Sequence, residues 1–176
     1  MTILSRRTLL GAAASGAAVG VIAGLSPRAR AQGKPVLKIG VLNDMSGPYR
    51  DVSGMVSVEC TRLALADYGV PGKNYDVQIV FGDHQNKPDI GAGIVRQWCD
   101  RDAVDCIVDV PTSSVALAVA EIAKEKNKVY LNTGAGTPDL TGKQCNANTI
   151  HWSYDTYMLA ASTGAAIVRA GGDTWF

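Results

Sequence analysis

Short apolar runs alternate with helical patterns along the chain from residue 37 onward. The apolar runs are bounded by turn-forming residues, which predicts buried strands at residues 37–42, 77–81, 106–110 and 129–131. Strands that alternate with helices favour a parallel sheet with right-handed crossovers. The pattern therefore predicts an α/β fold, a doubly wound, Rossmann-like parallel sheet.

Three helical patterns connect these strands. The first starts near Ser53, the second opens at Pro88, and the third follows Thr112 and Ser113, either of which can cap it. Each pattern places apolar residues on one predicted inward face: Val56, Cys60, Leu63 and Ala64 in the first helix, Ile90, Ile94 and Trp98 in the second, and Val115, Ala118, Val119 and Ile122 in the third.

The part of the chain after the fourth strand has a different character. Residues 134–148 are rich in Gly, Thr and Asn and predict a long loop, which is a common place for functional residues. Residues 149–152 predict a short strand that crosses to another lobe. Residues 154–170 predict a helix with one side formed by Leu159, Thr163, Ala166 and Ile167.

The first 31 residues have the three-part layout of an export signal. Arg6 and Arg7 precede a Gly/Ala-rich apolar stretch, and residues 29–31 (ARA) form a site for cleavage near Ala31. Paired arginines before a weakly hydrophobic stretch resemble a twin-arginine signal. An uncleaved membrane anchor is the alternative, although residues 9–25 fall short of the ~18 apolar residues needed to span a bilayer. The predicted domains are residues 1–31 (signal), 32–148 (first lobe) and 149–176 (crossover and start of a truncated second lobe).

Composition and charge narrow the range of partners. The chain has 176 residues, 47% of them hydrophobic and 19% charged, which suits one globular domain. Four of the arginines lie in the first 31 residues, so that 13 basic residues face 16 acidic ones in the rest of the chain. A mildly acidic domain offers no basic face for phosphates, which argues against a nucleic-acid partner and favours small molecules or proteins.

Common catalytic signatures are absent from the sequence. It contains neither a G-x-S-x-G elbow nor a phosphate-binding P-loop, and residues 43–48 (NDMSGP) follow the first strand where a dinucleotide site needs G-x-G-x-x-G. We therefore expect no catalytic residues, no metal and no cofactor. The Asp83-His84 pair suits a ligand pair or a general base, but a loop-capping Asp beside a hydrogen-bonded His is the favoured interpretation.

Four cysteines, Cys60, Cys99, Cys106 and Cys145, show no C-x-x-C spacing, which argues against a zinc ribbon or a redox pair. Exported proteins often form disulfides. Disulfides and buried free thiols both stay open at this point.

Polar loops follow the predicted strands. In an open parallel sheet, ligands bind outside the carboxyl ends of the strands, where these loops converge. Thr112, Ser113 and Ser114 lie at a helix start, where free N–H groups and the helix dipole favour an anion such as a ligand carboxylate. Ordinary N-capping explains the same residues. Small residues at 134–136 either admit a ligand or serve a tight turn.

Four segments carry a more specific resemblance: residues 38–42 (KIGVL), 46–49 (SGPY), 110–116 (VPTSSVA) and 134–141 (GAGTPDLT). In this order, behind an export signal, they resemble the branched-chain amino-acid (leucine-binding) type of periplasmic substrate-binding protein, which has the type I periplasmic binding fold. The resemblance implies a periplasmic monomer without enzymatic activity. Such a protein captures a small carboxylate-bearing ligand, an amino acid or an aromatic or other organic acid, between two lobes. It then delivers the ligand to the permease membrane subunits of an ABC importer.

The resemblance also implies roles for individual residues. Thr112, Ser113 and Ser114 would hold the ligand carboxylate. Ala135, Gly136 and Thr137 would supply a carbonyl and a hydroxyl or N–H group. Ser46 and Tyr49 would line the first loop, and Tyr154 would lie at the lobe crossover. Gly136 stands where many amino-acid binders have a threonine, which leaves room for aromatic or other organic acids.

Two other functions fit the same sequence less well. A ligand-sensing regulator of the amide or urea type uses the same fold, and an exported α/β hydrolase shares the sheet architecture. The end of the sequence at residues 171–176 (GGDTWF) is typical of a helix stop followed by the start of a strand. We interpret the sequence as a fragment cut where a second lobe begins.

Overall fold

Parallel strands form the centre of the fold in the computed structural model, which describes residues 33–174. Within that range the strands are β1 (Val36–Asn43), β2 (Asp76–Asp83), β3 (Cys106–Asp109), β4 (Val129–Asn132) and β5 (Thr149–His151). They form one sheet in the order β2-β1-β3-β4-β5, and every neighbouring pair is parallel. The predicted parallel α/β fold is confirmed. The predicted signal at residues 1–31 lies outside the described residues.

Helices connect the strands. They are α1 (Gly54–Asp67), α2 (Pro88–Asp100), α3 (Ser113–Glu125), α4 (Thr156–Leu159) and α5 (Ala165–Arg169), with a π-helical turn at Ala160–Gly164. Short 3-10 turns occur at Val70–Gly72 and within the predicted loop at Pro138–Leu140. The sheet has a topological switch point at β1: the chain adds β2 on one side of β1 and then β3 on the other side. Crevices at such switch points are where open α/β sheets bind ligands.

The core lies between the sheet and the pair α2 and α3. Val95, Trp98, Val115 and Val119 are buried there. The Trp98 ring packs so closely over β1 that a Cβ at Gly40 would lie 2.5 Å from it. Only glycine at that position of the strand leaves space for the indole.

The predicted inward faces of the second and third helices are largely correct. Trp98 is buried, with Ile90 and Ile94 half-buried beside it, and Val115, Val119 and Ile122 are buried. Ala118 is only half-buried.

The predicted inward face of the first helix is wrong. Val56 is 58% exposed and Leu63 63% exposed, whereas the helix buries Gly54 and Val58. Val56 and Cys60 line an apolar groove of about 530 Å³ beside the sheet, together with Ile39, Val108 and Leu131. Within the described residues this groove is open, so the apolar spacing of α1 marks a surface that has no cover there.

The predicted strand at residues 149–152 is confirmed as β5, and it belongs to this sheet. Its residues pair with β4, with Leu131 opposite Ile150 and Asn132 opposite His151. The helix predicted over residues 154–170 corresponds to α4, the π-helical turn and α5. Leu159 and Ile167 on its predicted inner side are 47% and 42% exposed. That the residues after β5 begin a second lobe stays a prediction.

All four cysteines lie in the described part of the chain and are free thiols. Burial raises the pKa of the Cys106 thiol to about 11, and it also raises the pKa of Cys99. Among residues 33–174, no helix has the length and hydrophobicity that crossing a bilayer requires.

Two glycines of α2 test the packing of α2 on α3. A Cβ at Gly91 would lie 2.5 Å from Cγ1 of the buried Val115, whereas a Cβ at Gly93 meets nothing within 4 Å. We expect Gly91→Ala to destabilise the fold by about 1–2 kcal/mol and Gly93→Ala to stabilise it by about 1 kcal/mol. Urea denaturation measures both. Equal effects of the two substitutions would contradict this account of the interface.

Candidate functional site

The carboxyl edge of the sheet is polar along its whole width. The strands end in Asn43, Asp83, Asp109, Asn132 and His151, in the order of the chain. Because all the strands are parallel, these residues lie at one edge, and the loops to the helices start beside them.

The turn after β3 has an unusual backbone. Asp109 and Val110 have φ values of 78° and 65°, in the left-handed region. Aspartate tolerates this region better than most residues, whereas it is strained for a β-branched valine, and strain of this kind is of order 1–3 kcal/mol per residue. The surrounding structure must therefore hold the turn in place.

Asn132 holds that turn. Its side-chain amide is fully buried and donates to the carbonyl oxygens of Asp109 and Val110, both at 2.9 Å. The amide nitrogen is also 2.7 Å from the hydroxyl oxygen of Tyr130, whose pKa burial raises. The Asn132 oxygen accepts from the backbone N–H of Ala135 at 3.0 Å. One side chain thus joins the loops that follow β3 and β4.

The Asp109 carboxylate faces the neighbouring strand ends. Its Oδ2 accepts from the Asn43 amide at 3.2 Å, and its Oδ1 accepts from the Thr133 hydroxyl at 3.0 Å. Asp109 is only 7% exposed. It is a buried acid at the point where the strand order reverses.

Two carboxylates shape the loop after β1. Asp44 accepts from the backbone N–H groups of Gly47 at 2.7 Å and Tyr49 at 2.9 Å. A Cβ at Gly47 would lie 2.5 Å from the oxygens of this carboxylate, so glycine is required there. Asp83 binds the same loop from β2, accepting from the Ser46 hydroxyl at 2.6 Å and from Met45 N–H at 3.0 Å.

Burial raises the pKa of Asp83, but the hydrogen bonds from Ser46, Met45 and Gln85 outweigh burial and leave the pKa below its ordinary value. The interpretation of Asp83 as a loop-capping residue is confirmed by these bonds. His84 is fully buried, and its Nδ1 accepts from Asn86 N–H at 3.0 Å. Burial lowers the pKa of His84 against the opposing effect of Asp44. The ring is therefore neutral near pH 7.

A cavity of about 410 Å³ opens among these loops, within the size range of small-molecule sites. Tyr49, Ser53 and Ser57 line it from the β1–α1 side, Asp109 and Thr133 from the strand ends, and Tyr154 from the segment after β5. Two predicted site residues, Tyr49 and Tyr154, thus face one cavity.

The three predicted hydroxyl residues lie at the start of α3, directly after Pro111, which lines the cavity. Thr112 occupies the N-cap position without a capping side-chain bond, and its hydroxyl donates to the Asn86 side chain at 2.7 Å. The first helical bond runs from Ala116 N–H to the Thr112 carbonyl. The N–H groups of Ser113 and Ser114 precede that bond, as at any helix start. Ser113 is half-buried and Ser114 is exposed.

The fourth loop is tied to the segment that contains β5. Ala135 is buried, and its carbonyl oxygen lies 2.6 Å from Nε2 of His151. The Gly136 carbonyl accepts from Thr156 N–H at 2.8 Å, and the Thr137 hydroxyl accepts from Asp139 N–H at 3.2 Å. The groups that the resemblance assigns to the ligand therefore already have partners within the protein.

The site contains residues that the sequence analysis missed. Asp109, Thr133, Ser53 and Ser57 line the cavity, and Asn132 holds its base. An acid that ends an otherwise apolar strand, directly before Val110-Pro111, was the available signal for Asp109. In the described part of the chain, no group of three metal-ligating side chains comes together.

A parallel sheet with a ligand-sized cavity at its carboxyl edge defines a class, the α/β proteins that bind small molecules at the ends of their strands. Within this class, the sequence profile described as Periplasmic binding protein matches residues 36–176. The chain therefore belongs to the periplasmic binding protein family. A comparison with curated proteins gives no match.

Solved structures support this assignment. A periplasmic binding protein from Burkholderia mallei is 46% identical, with a TM-score of 0.74, and the match covers 82% of this chain and 38% of that one. A branched chain amino acid ABC transporter periplasmic ligand-binding protein from Burkholderia xenovorans is 37% identical, with a TM-score of 0.71 over 80% of this chain and 37% of that one. The type I periplasmic binding fold is thus confirmed. The chain spans less than two fifths of the length of either protein.

A solute-binding protein of an ABC transporter from Rhodopseudomonas palustris is 24% identical, with a TM-score of 0.70 over 77% of this chain and 38% of that one. It was solved in complex with benzoate. At this identity the likeness concerns the fold alone.

Replacing Asn132 tests its role at the base of the cavity. Asn132→Ala leaves the carbonyls of Asp109 and Val110 and the N–H of Ala135 without their partner. Since an unsatisfied buried group costs about 1–3 kcal/mol, we expect a loss of roughly 2–4 kcal/mol in the free energy of unfolding, measured by urea denaturation. The control is Asn148→Ala, which removes a solvent-exposed bond to Asn127 and should change stability by less than about 0.5 kcal/mol. Similar losses in both variants would contradict the special role of Asn132.

Proposed function

We propose that this chain is part of the solute-binding component of an ABC importer. A twin-arginine signal at residues 1–31 directs export, cleavage occurs near Ala31, and the mature protein works in the periplasm as a monomer. Membership in the periplasmic binding protein family and the similarity to solved ABC transporter binding proteins support this proposal. The residues after β5 lead into a second lobe, and the ligand is held between the two lobes.

The ligand is a small acid that carries a carboxylate, either an amino acid or an aromatic or other organic acid. The observation that carries this proposal is the cavity at the carboxyl edge, which is lined by Tyr49, by Tyr154 and by Pro111, two residues before α3. Two aromatic rings suit an apolar or aromatic ligand body. The benzoate complex of the Rhodopseudomonas relative is consistent with a ligand of this class.

The ligand carboxylate is placed at the start of α3. N–H groups of Ser113 and Ser114, together with their hydroxyls, provide donors there, and the helix dipole adds a favourable potential for an anion. Thr112 supports this position from its bond to Asn86, and Ser46 supports the Tyr49 loop through Asp83. Ala135, Gly136 and Thr137 follow Gly134, which lines the cavity, and the proposal keeps them as further ligand contacts.

The proposal assigns no covalent chemistry to the protein. Affinity comes from a desolvated anion paired with oriented donors, and closure of the lobes around the ligand gives the signal that the permease subunits recognise.

Ligand-dependent stabilisation tests the proposed function. In differential scanning calorimetry of the full-length mature protein, a bound acid at about 100 times its Kd should add about 2.7 kcal/mol and raise Tm by several degrees. The panel contains amino acids, aromatic acids and aliphatic acids, with their amides as uncharged counterparts. Stabilisation by amides alone would favour the sensing function, and turnover of a chromogenic ester without any stabilisation would favour a hydrolase.

Ser113→Ala tests the carboxylate position. Loss of one donor to a charged group should weaken binding of the acid by about 1–3 kcal/mol, measured by isothermal titration calorimetry. Ser162→Ala is the matched control, because Ser162 is exposed and its hydroxyl only bonds the Met158 carbonyl. Unchanged affinity in Ser113→Ala would remove this residue from the site.

A further inference from the structure

We infer that Asp109 makes the cavity selective for acids that carry, besides the carboxylate, a hydrogen-bond donor, an ammonium or a hydroxyl group. This inference rests on the proposed function, because it names a second recognition element of the same cavity. It goes beyond the resemblance, which assigns no role to this residue.

The first observation is the incomplete pairing of the Asp109 carboxylate. A carboxylate offers about four acceptor positions. Two are used, by the Asn43 amide at 3.2 Å and the Thr133 hydroxyl at 3.0 Å. The carboxylate lines the cavity, so a ligand donor can reach the positions that are left.

The second observation concerns charge. Asp109 is only 7% exposed, and among the described residues it takes part in no ion pair. The nearby imidazole of His84 is neutral for the reason given above, and Asp44 adds a further negative charge near that ring. A buried charge without an opposite charge is unfavourable unless it is well hydrogen-bonded. A ligand ammonium or hydroxyl group would stabilise the buried charge by a hydrogen bond, whereas an apolar group would desolvate it further.

The third observation is that the backbone holds Asp109 in one conformation. The left-handed turn at Asp109 and Val110 is fixed by two bonds from Asn132. A carboxylate fixed in this way does not have to reorganise when a ligand arrives, and it cannot turn away from a ligand that lacks a donor. Because the carboxylate is held rigidly, it favours ligands that carry a donor over ligands that lack one.

The start of α3 and the Asp109 carboxylate then require different ligand groups. The start of α3 favours the ligand carboxylate, and Asp109 repels it because like charges repel at short range in a poorly solvated site. The ligand therefore binds with its carboxylate towards α3 and its donor towards Asp109. An amino acid and a hydroxylated aromatic acid both meet this requirement, and the probes below distinguish them.

Isothermal titration calorimetry on the full-length mature protein tests the inference with two pairs of probes. Leucine and isocaproate differ only in the ammonium group, and para-hydroxybenzoate and benzoate differ only in the hydroxyl group. In at least one pair we expect the member with the donor to bind about tenfold more tightly, as for one charge-assisted hydrogen bond. The pair that shows the preference identifies the donor.

Asp109→Asn should reduce that preference to less than about threefold, because it removes the charge and keeps the size of the side chain. Asp109→Ser is a second variant for the case that the first does not fold, since serine is smaller, uncharged and still polar. The control is Asp105→Asn, at the opposite end of the same strand, where the carboxylate accepts from Lys38 N–H at 2.9 Å. This control should keep the wild-type preference.

The outcomes separate the two levels of the proposal. Binding of none of the four probes would overturn the proposed ligand class and the inference with it. Equal binding within both pairs, or a preference that survives in Asp109→Asn and Asp109→Ser, would overturn the inference and leave the proposed function standing.

Discussion

The carboxyl edge of this sheet depends on the buried amide of Asn132. Two consecutive left-handed residues at the end of β3 are unfavourable by themselves, and they persist because one side chain donates to both of their carbonyl groups. The same side chain accepts from Ala135 and so sets the path of the fourth loop. Since Pro111 and Gly134 of these two loops line the cavity, the shape of that side follows from a single set of hydrogen bonds around a fully buried side chain.

The electrostatic character of the edge follows from the same arrangement. Parallel strands bring the polar residues that end them to one side, and the helices that follow start there with unpaired N–H groups. Backbone N–H groups without helical partners lie at the start of α3, and the Asp109 carboxylate is a buried acceptor at the end of β3. The residues that line the cavity thus include the buried carboxylate of Asp109 and no lysine or arginine.

Periodicity alone predicted β1 to β4 and α1 to α3 closely, because apolar runs and amphipathic spacing are local properties of the chain. Periodicity failed where the structure depends on contacts between residues that are distant in the sequence. The spacing of Val56, Cys60 and Leu63 showed that α1 has an apolar face but not whether the described chain covers it. The pairing of β5 with β4 was not predicted, because a strand of three residues carries no signal for its partner strand. The family resemblance pointed to Tyr49 and Tyr154. Asp109 was missed as a site residue, because its left-handed backbone and its bonds to Asn43 and Thr133 arise only in the folded chain.

The open groove beside α1 affects which optical signal can follow the thermal unfolding of this protein. Aliphatic side chains from three strands and one helix face solvent there, and surfaces of this kind take up environment-sensitive dyes such as anilinonaphthalene sulfonate in the native state. Melting curves followed with such a dye would begin from a high fluorescence and mask a small ligand effect. The indole of Trp98, enclosed between α2 and the glycine of β1, is a better reporter, because its emission shifts only when that interior comes apart.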